Sequence, residues 1–333
     1  MKSKGETCFM RDYCAVIRTL GTAGEKYQRL LDSLAAQTVT PKKILVYIPH
    51  GYVAPKETIG IEQLVRCEKG MVAQRSLPFD EVDTDYILFC DDDLYLPPDY
   101  VEKLFIGIEE NDADCIAAEV FYHYKDSLWK RLMFYLSNSF SPRGDDGYAY
   151  IIKRDGGTSY NEAPSASVLP TQTAAFASFL CKKDVYKAIH FDDERWLDSF
   201  SFSAEDDTLF FYKLFLYGYK VFVHFVTGIK HLDGQSGNRI GIEDRMLFKK
   251  KLLFTFWYRT IYNIKTKNRR EKLLCCLAFI WRNLLGIVAL IGDVIRCKQP
   301  VYLLDYFRGL YVGYRYVHSD EYKAIPLYDE YLI

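Results

Sequence analysis

The run Lys43-Ile44-Leu45-Val46-Tyr47-Ile48 constrains the fold more than any other segment of the chain. It is almost wholly apolar and is stopped by Pro49 and Gly51. A strand with one wet face alternates apolar and polar residues, whereas a continuous apolar run fits a strand buried on both faces, as in a parallel sheet. Upstream, Tyr13–Leu20 is another short β-rich run, ending at Gly21 and Gly24. Between the two lies a helical stretch with Leu30, Leu31 and Leu34 on one face, broken by Pro41. Strand, helix and strand in that order make a βαβ unit. The expected class is therefore α/β, a Rossmann-like, mostly parallel sheet with flanking helices.

The pattern continues downstream. Helices are expected over Ile59–Arg66 and Val72–Phe79, a strand over Tyr86–Cys90, and a helix over Asp99–Glu110 opened by Pro98. Ala174–Leu180 and Tyr219–Phe225 read as strands, and Lys183–Ile189 as a helix. Another helix runs from Glu205-Asp206-Asp207 to Tyr217. Residues 137–170 are loop-like, of the kind that form lids or binding loops.

The chemistry gathers where the strand Tyr86–Cys90 runs into Asp91-Asp92-Asp93. Open α/β sheets bind ligands at the carboxyl ends of their strands. Three consecutive carboxylates there repel one another unless a positive charge sits among them. A hard divalent cation such as Mg²⁺ or Mn²⁺, shared with substrate phosphates, is the simplest candidate; a solvated acidic turn is the plain alternative. Glu205-Asp206-Asp207 opens the helix carrying Leu209, Phe210 and Leu214. These acids serve the helix macrodipole, or one of them is a general base for a hydroxyl acceptor. His231 is a surface histidine or a metal ligand. Asp12, Arg18 and Arg75 are further polar residues expected to line a nucleotide site.

Of the 333 residues, 49% are apolar and 26% charged, a globular composition. The net charge of −1 hides an asymmetry. Residues 1–240 carry 27 Lys+Arg against 35 Asp+Glu, and residues 241–333 carry 16 against 9, which suggests two jobs. Nine cysteines show no C-x-x-C spacing, so zinc is not expected and a reducing compartment is. The N-terminus has no apolar run long enough for a secretory signal, so a cytoplasmic location is expected.

The order of these segments resembles the GT-A fold of glycosyltransferase family 2. Val16–Leu20, Leu30–Leu34, Gln37 and Ile44–Ile48 match the opening strand, helix and strand, which hold the nucleotide in that family. Gly70-Met71-Val72-Ala73-Gln74-Arg75 is similar to its Gly-x-x-x-x-Arg stretch. Tyr86–Asp93 looks like its strand and Asp-x-Asp motif, and Glu205-Asp206-Asp207-Thr208-Leu209, Gly218 and His231 resemble its Glu-Asp-x-x-Leu…Gly…His ending. The match covers roughly residues 13–235.

The resemblance implies an inverting transfer of one sugar from a nucleotide-diphosphate donor, a UDP-sugar, to a glycan or lipid-linked acceptor in cell-surface polysaccharide synthesis. It implies Thr19, Arg75, Asp91 and Asp92 on the donor, Asp93, Asp91 and His231 on Mn²⁺ or Mg²⁺, Asp206 as base, and Glu205 beside it on the acceptor side. Three features depart from the family pattern. The second strand ends Tyr47-Ile48-Pro49-His50, without the acid that contacts the base in many members. The Gln-x-x-Arg-Trp motif of processive synthases is missing, since Arg195-Trp196 lacks the Gln, which argues for single-sugar addition. Asp207 follows Asp206 directly, so either can be the base.

The tail differs in character. Arg245–Lys272 holds ten Lys/Arg and one acid, Glu271, and the apolar stretch Leu273–Ile295 follows it. That stretch is near the ~20 residues that span a bilayer, but Arg282-Asn283 interrupts it. Interfacial, monotopic attachment to the cytoplasmic face of a membrane through residues 245–295 is expected over a span; a helical pair closing the core is the alternative. Tyr258, Arg259 and Asn263 resemble the tail of members that use lipid-linked acceptors. No nucleic-acid recognition motif accompanies the basic run. The expected organisation is a catalytic domain over 1–240, with its nucleotide-sugar half at about 1–115 and its acceptor half at about 116–240, and a helical membrane-associating tail over 241–333. A sugar-nucleotide pyrophosphorylase and a catalytically silent glycan-binding protein are the competing readings. The first rests on Leu20-Gly21-Thr22-Ala23-Gly24, a faint phosphate loop.

Overall fold

The computed structural model describes residues 11–120, 128, 132, 135–136, 147–161, 163–200, 204–232, 245–264, 268–297 and 301–328. Residues 137–146 of the expected loop and the boundary expected at 240 lie outside the described residues.

The first half alternates strand and helix as β1 (Tyr13–Arg18), α1 (Glu25–Ala35), β2 (Lys43–Pro49), β3 (Glu62–Cys67), β4 (Tyr86–Asp91), β5 (Leu94–Tyr95), α2 (Tyr100–Asn111) and β6 (Cys115–Ala118). The next part has β7 (Tyr150–Ile152), β8 (Thr158–Tyr160), β9 (Val168–Pro170), β10 (Ser178–Lys182) and α3 (Lys183–Ala188). A 3₁₀ segment over Phe191–Ser199 leads to α4 (Asp206–Leu216), β11 (Val221–His224) and β12 (Lys230–His231). Eight strands form one sheet in the order β3-β2-β1-β4-β10-β6-β11-β9. β3, β2, β1 and β4 are mutually parallel, and β10 runs antiparallel between β4 and β6.

Alternate residues of the apolar strands go to opposite faces, and both faces are dry. Val16, Leu45, Tyr47, Ile87 and Phe89 join one core; Ala15, Ile17, Ile44, Val46 and Leu88 join another beneath α1 and α2. This explains why β2 has no polar alternation. The first core is an aromatic slab in which Phe89 stacks on Phe179, with ring centroids 4.7 Å apart, and Phe210 and Phe211 pack against Phe179.

Three expectations are corrected. Residues 62–67 form the edge strand β3 rather than a helix, paired in register from Ile44↔Glu62 to Pro49↔Cys67. Its half-exposed burial blurred the strand signal, and pairing with β2 decides the conformation. Val72–Phe79 is not a helix but one tight turn: the amides of Gln74 and Ser76 donate to the carbonyls of Gly70 and Val72, and Pro78 stops any extension. Within the loop-like stretch, β7 and β8 form a hairpin and β9 joins the sheet edge.

The tail is helical: α5 (Arg245–Trp257), a π-turn at Tyr258–Tyr262, α6 (Arg269–Cys297), α7 (Val301–Val317) and α8 (Asp320–Lys323). It packs on the sheet domain. Trp257, Ile261, Cys275 and Phe279 share a buried cluster with Tyr212 of α4. Arg259 forks onto Glu194, with Nε–Oε2 and Nη2–Oε1 both 2.8 Å and both side chains fully buried. Lys213 Nζ lies 3.3 Å from the same carboxylate, and Trp196 Nε1 donates to it at 2.6 Å. These three donors hold Glu194 down at about 2 against its burial, with Arg259 the largest of them. Arg259 is thus a tie between tail and core.

Candidate active site

Four parallel strands deliver their carboxyl ends to one edge, and the acidic triplet follows β4, the one beside antiparallel β10. Asp91 ends β4 and continues the face of Ile87 and Phe89. Arg18, at the end of neighbouring β1, donates to Asp91 Oδ1 from Nε and Nη2 at 3.2 and 3.1 Å. Arg75 Nη2 approaches the same oxygen at 3.9 Å. The Thr19 hydroxyl, one residue past β1, donates to Asp92 Oδ2 at 2.5 Å and accepts from the Gly21 amide at 2.9 Å. Gly21 has φ 78°, and a Cβ there would lie 2.1 Å from the Val53 carbonyl oxygen, so only glycine closes this turn.

Asp93 faces away from the arginines. β5 and β12 pair so that His231 lies opposite Leu94, and this brings His231 Nε2 within 3.3 Å of Asp93 Oδ1. Burial pushes the Asp93 carboxyl up to about 6, with Asp91 and Asp92 adding to the rise and His231 opposing it. Burial also raises Asp92, partly offset by the Thr19 hydroxyl. Asp93 and His231 are the residues of this edge that could hold a divalent cation, which would favour the charged form of the Asp93 carboxylate. The Asp93 carboxylate suits Mg²⁺ or Mn²⁺, while an imidazole is a poorer ligand for so hard an ion as Mg²⁺. Among the described residues, no three His, Cys, Asp or Glu side chains form a ready-made metal cluster. Asp91 points to the arginines rather than to the Asp93–His231 pair.

Arg75 links this edge to α4. Its Nη1 forms an ion pair with Asp206 Oδ2, both side chains nearly buried, and its guanidinium lies 4.0 Å over the Phe176 ring. Burial and the neighbouring Arg18 lower its pKa, while Asp91 and Asp207 act to raise it. Asp207 takes its own helix amide contact, accepting from Thr208 N at 2.7 Å, and burial raises its carboxyl. Glu205 stands just before α4 with φ 69°, a left-handed conformation that is costly for a side chain of its size. Burial raises Glu205, then Asp207 raises it further, and Arg282 and Lys249 of the tail pull it back.

Thr19, Arg18, Arg75, Asp91, Asp92, Asp93, Asp206 and His231 therefore come to one sheet edge. Asp12 does not: it precedes β1 at the opposite end, roughly 20 Å away at the rise of a six-residue strand. One contributor had no signal in the sequence. The Asp198 carboxylate accepts from Val72 N and Ala73 N at 2.8 and 3.0 Å and so holds the turn that aims Arg75. It also explains Gly70, where a Cβ would lie 2.5 Å from Asp198 Oδ2.

Comparison with known proteins adds three findings. Residues 57–163 match the family model described as glycosyl transferase family 2, a segment that includes β3, the Arg75 turn and the acidic triplet. No curated protein matches the chain. Among solved structures, S. aureus TarS 1-349 in complex with UDP-GlcNAc aligns over 90% of this chain and 81% of its own, at 12% identity and TM-score 0.50. TarS 1-349 without that ligand aligns over the same shares at 12% identity and TM-score 0.48. The first likeness shows the fold, a GT-A sheet with flanking helices. Residues 57–163 are thus similar to the glycosyl transferase family 2 model, within a chain whose fold is similar to that of TarS.

Proposed function

We propose that this chain is an inverting glycosyltransferase that moves one sugar from a UDP-sugar to a glycan or lipid-linked acceptor in cell-surface polysaccharide synthesis. The observation that carries the reading is Arg75, whose single guanidinium touches both Asp91 on the donor side and Asp206 on the helix side. A donor cluster and a candidate base thus belong to one site. UDP-GlcNAc in TarS, a structure of similar fold, supports a uridine donor.

In this reading Thr19, Asp92 and Asp91 face the nucleotide, and Arg18 and Arg75 supply positive charge where the diphosphate departs. Asp93 and His231 hold Mn²⁺ or Mg²⁺, which when bound neutralises diphosphate charge. Asp206 removes the proton from the acceptor hydroxyl, whose oxygen forms the new bond to the anomeric carbon as the bond to the diphosphate breaks. Its ion pair with Arg75 orients that carboxylate and supports Asp206 over Asp207 as the base. The loop Leu20–Gly24 contains no basic residue, which weighs against a pyrophosphorylase.

The protein works, we infer, on the cytoplasmic face of a membrane. Residues Arg269–Ile291 of α6 have the length and composition to cross one, and most of the segment is not buried. The faces of this helix support lying on the membrane over crossing it. Leu273, Leu277, Ile280, Leu284, Val288 and Ile291 are exposed at helical spacing, while Arg282 reaches the Asp155 carbonyl at 3.1 Å and Asn283 is buried against Tyr306. Leu304, Phe307 and Tyr311 of α7 add a second exposed apolar stripe.

A screen of UDP-, GDP- and dTDP-sugars with Mn²⁺ or Mg²⁺, following release of the nucleotide diphosphate, tests this reading. Turnover of a UDP-sugar is expected. A screen with no turnover of any donor contradicts the transferase assignment.

A further inference from the structure

β3 is the last strand at one side of the sheet. The Cys67 carbonyl accepts from the His50 amide at 2.9 Å, so Cys67 turns its backbone groups toward β2. In a parallel ladder alternate residues do this. Val65 and Gln63 therefore follow Cys67, while Glu62, Leu64 and Arg66 turn their amides and carbonyls outward. Among the described residues, nothing pairs with those outward groups. The side chains of the same three residues share the sheet face opposite Val65, which packs on the first core. Leu64 is 48% exposed between an acid and a base. The Glu62 carboxylate accepts from the amides of Ile59 and Ile61, and Arg66 donates to the carbonyls of Pro49 and Tyr52. Among the described residues, neither forms an ion pair. Edge charges of one sign keep sheets apart, but an acid and a base set evenly about one leucine are complementary to a copy of themselves.

We propose that β3 is a dimerisation edge, at which two copies of this chain pair antiparallel about a two-fold axis through Leu64 and join their sheets. The contact is isologous, the commonest kind in soluble oligomers. Leu64 faces Leu64 of the second copy, and Glu62 faces its Arg66, once on each side of the axis. The outward amides and carbonyls of all three residues then find partners across the axis. The charges also select this register. Centring the axis on Glu62 or on Arg66 sets like charges opposite each other, and centring it on Val65 sets Glu62 against Glu68. The exposed Leu64 side chains meet at the axis and leave water together.

Sedimentation velocity of the full chain across the micromolar range tests the contact. The unsubstituted chain is expected to reach twice its own mass. Glu62→Arg and Arg66→Glu each set like charges across the axis, and each is expected to weaken dimerisation at least about tenfold. An equimolar mixture of the two variants restores opposite charges at both pairs, so the dimer is expected to return in the mixture. Leu64→Lys places two ammonium groups at the axis and is also expected to weaken the dimer at least about tenfold. It leaves the Glu62 and Arg66 contacts within the chain intact, so it decides the matter if either charge variant fails to fold. An unsubstituted chain that stays monomeric overturns the proposal. So does a mixture of folded charge variants that associates no better than either one alone. A dimer untouched by Leu64→Lys overturns it too, and moves the contact to another surface such as the exposed apolar face of α6 and α7.

Discussion

At the scale of single residues, two neighbouring carboxylates are given different work by their contacts. Asp206 meets Arg75, while Asp207 takes the Thr208 amide. Asp206→Asn is therefore expected to lower transfer by roughly 10²–10⁴ in kcat with donor KM little changed, the usual loss for a missing general base. Asp207→Asn is expected to lose far less. Steady-state rates of the two variants decide between them, and the reverse order moves the base to Asp207. Asp93 predicts a pH effect. Its carboxyl is raised to about 6, and a metal needs it deprotonated. Half-saturating metal concentration should be flat above pH 7 and climb as pH falls through about 6. Titrations of Mn²⁺ at a series of pH values check this, and a flat profile down to pH 5 counts against Asp93 as a ligand.

At the scale of elements, the Glu194–Arg259 pair joins the 3₁₀ segment to the tail. Removing one partner of a buried pair strands the other, at a cost of about 3–5 kcal/mol. Glu194→Gln should lower the unfolding free energy measured by denaturant titration by that amount, and a change near zero would mean that the tail docks through apolar contacts alone. The sign of the pH dependence follows from the depressed carboxyl. Its folded value is about 2 and its ordinary value 4.5, so its stabilisation is complete above 4.5 and lost as pH falls towards 2. Part of this architecture was legible in the sequence. β2 and β4 announced themselves because both faces are buried, and the acids after β4 stood out because like charges need a reason. β3 was misread because an edge strand borrows its order from its neighbour. Asp198 and Glu194 gave no signal, because each acts on backbone or side chains far off in sequence, and only the folded chain brings them together. The resemblance named Arg75 as a donor residue but could not show that it also touches Asp206.

At the scale of the whole molecule, the tail has two faces. One packs on α4 through Trp257 and Phe279, and the other exposes apolar side chains of α6 and α7. Burying each of these side chains in a lipid interface contributes about 1–3 kcal/mol. Leu277→Ser with Leu284→Ser should weaken vesicle binding at least about tenfold in flotation with anionic lipid, while leaving the sheet domain folded. Unchanged flotation would assign this face to something other than a membrane. The central claim concerns the sheet edge where Arg75 joins the acidic triplet to Asp206. The most direct measurement is metal-dependent release of UDP from a UDP-sugar by the unsubstituted chain and by Asp93→Ala. Turnover in the first and a loss of at least about a hundredfold in the second is the predicted result. Full turnover in Asp93→Ala would contradict the account.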